Sequence, residues 1–274
     1  MTQVFVSAHD VNTADVKWID ARFSLQDEKS GKLAYQQEHL KGAVHWDLEE
    51  DLSGASRTGG RHPLPSKEQL TELFRTSGLE LTDAILIYDD GGSPFATRAW
   101  WMLQYAGFTD VHVVTEGYRE LRGMFDVTAE PAVPAKSAVE PNWQEQLYAD
   151  RHEVEEVAAG NRLSVLVDAR SEVRYRGEKE PLYHKAGHIP TARNFDWEQL
   201  KQGGQFDVEK VKEQLMQTAA PEDDIIVYCG SGVTASPLFA ALTELDYPNV
   251  KLYVGSFSDW ISQDDAPIET AIRG

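Results

Sequence analysis

Cysteine is almost absent from this chain: Cys229 is the only one in 274 residues. No intramolecular disulfide can form and a zinc site built on several cysteines is excluded, so a reduced, cytoplasmic setting is expected. Long apolar runs are missing too. The chain has no run of about 18 apolar residues, and its opening "MTQVFVSAHDVN" has neither a basic nor an apolar leader region, so no membrane partner is expected. Basic residues are outnumbered, 26 Lys and Arg against 45 Asp and Glu, for a formal charge of −19. With no compensating basic block, binding to nucleic acid is disfavoured. An anionic small molecule must therefore be drawn by a local positive site, against the average field.

The length suggests two domains. Around residues 129–147 the text "AEPAVPAKSAVEPNWQEQL" is rich in proline and alanine and poor in large apolar residues, as a linker is. On either side the same order of segments recurs. "HLKGAVHWDL" from His39 answers "HIPTARNFDW" from His188, and "AILIYDDGG" from Ala84 answers "DIIVYCGSG" from Asp224. "YAGFTDVHVVTEGYREL" likewise answers "LDYPNVKLYVGSFSDW". Repeats this long are duplicated domains and not solenoid units. The expected boundaries are 1–130, a linker at 131–147, and 148–274.

Each half alternates short β-branched runs (85–88, 165–168, 225–228, 250–254) with helical stretches such as "SKEQLTELFRTSG" and "DVEKVKEQLMQTA". A helix is also expected after Asp150, with Glu153 completing a capping box. The alternation predicts an α/β fold, each half a mostly parallel sheet flanked by helices, with ligands at the carboxyl ends of the strands. Cys229 stands at one such end, and its counterpart in the first half is Asp89.

After "IIVY", the loop "CGSGVTA" carries two glycines, and a helix is expected from near Thr234. Successive N–H groups in such a loop can turn inward, and with a helix N-terminus behind them they stabilise a thiolate. The competing reading is a buried structural cysteine. A phosphatase is excluded, because its C-x5-R signature needs arginine where Ala235 stands.

With this loop and this duplication, the chain resembles a tandem-domain sulfurtransferase of the rhodanese superfamily over nearly its whole length. The resemblance rests on "VDARSEVRYRG", "AGHIP" and "CGSGVTA" in the second half, and on "IDAR", "GGRHPLP" and "IYDDGG" in the first. It implies two tandem rhodanese-like domains, the first without a catalytic cysteine. It also implies a ping-pong reaction with no cofactor: Cys229 takes a sulfane sulfur from a small anionic donor and passes it to a thiol, thioredoxin or cyanide.

The neutral loop Cys229, Gly230, Ser231, Gly232, Val233, Thr234 and Ala235 matches the pattern of enzymes that use 3-mercaptopyruvate. Basic loops of the C-R-K-G-V-T type accompany thiosulfate, which stands here as the alternative donor. The resemblance makes Arg174 the donor-binding arginine, and leaves Asp168 and Arg170 as braces. It implies a proton relay of Ser231, His62 and a carboxylate, Asp51 or Glu49. A second substrate arginine found in many relatives is missing from "GEKEPLYHKAGH", where Arg176, Lys179 or Lys185 could compensate. Two further readings are a non-enzymatic rhodanese-like binding module and an esterase on Ser231 and His62. The esterase is disfavoured because no G-x-S-x-G elbow surrounds a serine.

Overall fold

The structure, a computed structural model, describes residues 3–13, 15–55 and 60–271. Met1, Thr2 and Gly59 of the "GGRHPLP" stretch lie outside the described residues.

Two parallel sheets form, one in each half. The first contains β1 (Phe5–Val6), β2 (Lys17–Asp20), β3 (Val44–His45), β4 (Ile85–Tyr88) and β5 (Val111–Val114) in the order β1-β5-β4-β2-β3. The second contains β6 (Val165–Asp168), β7 (Arg193–Asn194), β8 (Ile225–Tyr228) and β9 (Val250–Leu252) in the order β9-β8-β6-β7. The central strands β4 and β8 are buried along their whole length, which is why they read as unbroken apolar runs instead of alternating ones.

Local chemistry sets the helix ends. In α1 (Lys67–Thr76), Ser66 accepts from the Gln69 N–H while the Gln69 side chain accepts from the Ser66 N–H, a complete capping box. At the helix Arg151–Ala158 only half of the expected box forms. Asp150 accepts from the Glu153 N–H, but the Glu153 carboxylate turns away to Lys251 and Arg162. The stretch from Asp207 divides into a 3-10 turn (Glu209–Val211) and a shorter helix (Lys212–Thr218). The last strand ends at Leu252, not Val254, although the Tyr253 N–H still donates to Val227 O.

The duplication is visible atom by atom. Arg22 grips Asp20 in the first half as Arg170 grips Asp168 in the second, each guanidinium bonding both carboxylate oxygens. The Tyr88 hydroxyl accepts from Leu40 N–H as that of Tyr228 accepts from Ile189 N–H. Tyr35 stacks on His39 and Tyr175 on His188, with ring centroids 3.7 and 3.8 Å apart.

The halves pack through α2 (Phe95–Tyr105) and α3 (Ser236–Glu244), which are buried almost all round. A helix apolar on every side must be covered on every side, and here the covering is the other half. Trp100 and Trp101 of α2 both pack against Phe239 of α3, with centroids 6.1 and 6.4 Å away. A single core cluster therefore runs through both halves, from Val4 to Val254. Among the described residues no helix is long and apolar enough to cross a membrane.

Candidate active site

Cys229 sits at the carboxyl end of β8, only 1% exposed. The strand delivers it there, and the loop behind it is shaped by one glycine in particular. Gly232 has φ +76°, and a Cβ at that position would lie 2.2 Å from Val254 O. Only glycine combines that backbone angle with that approach, and the result is that the Gly232 N–H points at Cys229 Sγ over 3.1 Å. The helix behind the loop, α3, begins at Ser236, two residues later than expected.

A second segment closes over the loop. Ser256 Oγ accepts from Cys229 N–H at 3.0 Å, donates to Tyr253 O, and lies 4.0 Å from the sulfur. The Phe257 and Ser258 N–H groups donate to the carbonyls of Cys229 and Gly230. Ser256 holds φ +54°, a strained angle for a residue with a side chain. Sequence reasoning missed Ser256, since nothing in "VGSFSDW" announces a left-handed serine.

The equivalent position in the first half carries a carboxylate in place of a thiol. The buried Asp89 carboxylate accepts from Gly91 N–H at 2.8 Å and Ala96 N–H at 3.0 Å, so the inward N–H groups are filled by the residue's own side chain. Burial pushes its carboxyl up to about 7.

The relay residues meet across the two halves. His62 Nδ1 lies 2.7 Å from Ser231 Oγ, and His62 Nε2 lies 2.9 Å from Glu49 Oε1. Because a carboxylate can only accept, Nε2 carries the proton, and bare Nδ1 accepts from the Ser231 hydroxyl. Burial, with the charges of Arg61 and Arg98, pulls His62 down to about 3, so the imidazole is neutral at physiological pH. Burial pushes the Glu49 carboxyl up, with Glu28 adding to it and Arg61 opposing. Asp51 is not the acid in contact with His62. Its carboxylate folds back to accept from Asp47 N–H at 2.8 Å, closing the 47–51 turn that places Glu49.

Arg174 reaches the loop: its Nη2 would be 3.6 Å from a Cβ on Gly230. Its charge is already shared, because Nε and Nη2 donate to Glu180 at 3.1 and 2.9 Å. Glu180 also accepts from Arg170, which Asp168 and the Gly187 carbonyl hold in place. The stretch that lacks a second arginine thus supplies Glu180, and Tyr183, whose buried hydroxyl sits 2.9 Å from where a Gly230 Cβ would be. Arg176 is paired with Glu172, and Lys185 is tied to the carbonyls of Gln263 and Asp264, so neither serves the loop. Val233 turns its side chain into the core, and Thr234 is half-buried.

Sequence reasoning also missed Arg98 of α2. It is fully buried and donates to Gly232 O at 3.3 Å and to Leu52 O and His62 O at 3.2 Å each. Burial pulls it down to about 10, and the Cys229 charge works in the opposite direction.

This arrangement can hold a nucleophilic sulfur, bind one anionic group beside it, and move a proton along Ser231 and His62. Comparison with known proteins agrees with the duplication and the fold. The rhodanese-like domain matches the chain twice, over residues 7–123 and 150–263. A Pseudomonas aeruginosa protein named "Probable 3-mercaptopyruvate sulfurtransferase" is 36% identical, the match covering 93% of each chain. The 3-mercaptopyruvate sulfurtransferase of Escherichia coli is 31% identical over 96% of this chain and 95% of its own. The solved structure of 3-mercaptopyruvate sulfurtransferase from Leishmania major superposes with a TM-score of 0.83 at 25% identity, covering 95% of this chain and 75% of that one. The chain belongs to the rhodanese family, as a tandem pair of rhodanese-like domains.

Proposed function

We propose that this protein is a sulfurtransferase that takes a sulfane sulfur from 3-mercaptopyruvate through a Cys229 persulfide and gives it to a thiol, thioredoxin or cyanide. The observation that carries the reading is the Ser231–His62–Glu49 chain of hydrogen bonds beside Cys229. Such a relay suits a donor that must lose a thiol proton, and thiosulfate has none.

The steps balance as follows. Cys229 thiolate attacks the donor sulfur, an S–S bond forms, the C–S bond breaks, and its electron pair leaves as the enolate of pyruvate. The donor's thiol proton enters the relay as it passes to Ser231 Oγ while the serine proton passes to His62 Nδ1. Return of a proton to the enolate carbon completes pyruvate and leaves a persulfide anion. The acceptor then attacks the outer sulfur, the S–S bond breaks, and the Cys229 thiolate is restored. Cyanide leaves as thiocyanate and a thiol leaves as a persulfide.

Charge supports the same donor. Mercaptopyruvate carries one carboxylate, and the cysteine-bearing half offers one arginine at the loop mouth, Arg174, already partly neutralised by Glu180, while Arg61 of the other half lies exposed at the rim. A dianion such as thiosulfate finds no second cation from the loop itself. In this reading the cysteine-bearing half spans 148–274, joined through 131–147 to the half at 1–130, and the enzyme works in the reducing cytoplasm.

The test is kcat/KM for mercaptopyruvate and thiosulfate side by side, with thiocyanate as product. Preference for mercaptopyruvate is expected. A tenfold preference for thiosulfate overturns the donor assignment, and no turnover with either favours a binding module.

A further inference from the structure

We propose that Arg98, supplied by the cysteine-less half, is the counter-charge of the Cys229 thiolate and of the persulfide anion that follows it. The inference rests on Cys229 being the nucleophile of the reaction proposed above.

The argument starts from what Arg98 lacks. The two other arginines buried in this molecule's sheet ends, Arg22 and Arg170, each grip a carboxylate, Asp20 and Asp168. Arg98 is as deeply buried, yet among the described residues its three hydrogen bonds go to neutral carbonyls, and its buried Nε has no partner there. Among the described residues no carboxylate is at ion-pair distance from it. A buried cation held only by dipoles carries a large desolvation penalty. The fold tolerates that penalty at the one place where an anion is made.

Gly232 connects the two groups. Its carbonyl accepts from Arg98 Nη1 and its N–H points at Cys229 Sγ, so cation and sulfur flank one residue of the loop. Cys229 is the one charged partner whose field raises Arg98. The sulfur is itself shut away from solvent, so an anion there has little water to stabilise it. Each ion relieves the other's burial, and the interaction is screened little by salt in a closed site.

The other titratable groups around the sulfur do not supply this charge. His62, on the 60–62 segment, is neutral, and neighbouring Arg61 is exposed at the rim. From the 172–183 segment come Arg174, partly neutralised by Glu180 and turned to the loop mouth, and Tyr183, which burial keeps protonated. From the 256–260 segment comes Asp259, an acid bonded to Tyr253. Arg98 is therefore a positioning residue: it touches no reacting atom but fixes the potential at one.

A purely structural role, stapling the Leu52, His62 and Gly232 carbonyls together, would depend on hydrogen bonds and not on charge. The experiment separates the two using the full chain and iodoacetamide alkylation of Cys229 as a function of pH. Arg98→Met and Arg98→Gln remove the charge, Gln keeping some hydrogen bonds, while Arg98→Lys keeps the charge. In both neutral variants the alkylation profile is expected to move about one pH unit upward, roughly a tenfold slower reaction at pH 7. Arg98→Lys is expected to recover at least half of that shift. A profile unchanged in a folded neutral variant overturns the proposal, and so does a lysine variant shifted as far as methionine.

Should neither neutral variant fold, stability is compared between wild type and Cys229→Ser from pH 6 to 9. A paired thiolate makes the wild-type advantage grow as pH rises, and an advantage independent of pH overturns the proposal. Alkylation needs no sulfur donor. Failure to turn over mercaptopyruvate would therefore overturn the donor reading and leave this result standing.

Discussion

His62 and Ser231 belong to different halves of the chain, yet their side chains meet at 2.7 Å beside the only cysteine. A site assembled in this way works only while the two halves stay docked, and the α2–α3 contact that docks them is made of buried aromatic side chains.

Replacing the sulfur is the plainest test of the mechanism. Cys229→Ser is expected to abolish sulfur transfer to every acceptor while the circular dichroism spectrum stays that of the wild type, since the change is nearly isosteric. Retained turnover would remove the persulfide from the mechanism.

Arg174 and Glu180 should respond in opposite directions. Arg174→Ala removes the anion contact and is expected to lower kcat/KM for the donor by about 10- to 100-fold, the equivalent of roughly 1.5–3 kcal/mol for a hydrogen bond to a charged group. Unchanged kinetics would take Arg174 out of the site. Glu180→Gln frees the guanidinium and is expected to raise thiosulfate use relative to mercaptopyruvate. Because Glu180 is buried between two arginines, it should also cost a few kcal/mol in a denaturant titration.

His62 gives stability a pH dependence of known sign. Its folded value of about 3 lies below the ordinary 6.5, so the unfolded chain binds the proton more readily between the two. The stabilising contribution is complete above pH 6.5 and is lost progressively as pH falls toward 3. His62→Asn is expected to flatten this part of the stability curve measured by urea unfolding. A slope identical to the wild type would mean that other groups carry it. Donor turnover should fall in the same variant, more for mercaptopyruvate than for thiosulfate.

Gly232→Ala combines a positive φ with a Cβ 2.2 Å from Val254 O, so the loop must move. A loss of stability of about 1–3 kcal/mol and a slower alkylation of Cys229 are expected. A variant with wild-type Tm and reactivity would show that the loop relaxes without harm.

Much of this was legible in the chain itself. Strands β4, β6 and β8 fall where the apolar runs place them, because strands in the middle of a sheet covered on both faces are built mostly from apolar residues. Cys229 and Asp89 at the strand ends were legible for the same reason. The choice between Asp51 and Glu49 was not, because both lie in one short turn and only its closure on Asp47 sends Glu49 to His62. Glu180 read as a gap in an arginine pattern, although it neutralises the arginine that is present.

Local order along the chain thus determined the duplication, the sheets and the family, and singled out Cys229 as the proposed nucleophile, since each depends on periodicity and on residues close in sequence. Tertiary structure alone decided what surrounds the sulfur. The resemblance named His62 and offered Glu49 beside Asp51, but only the fold brings them to Ser231, and Arg98 from the first half and Ser256 from a strained turn had no signal in the sequence at all. Their contact follows from burying α2, rich in aromatic residues, against α3, and that burial is a property of the folded pair of domains.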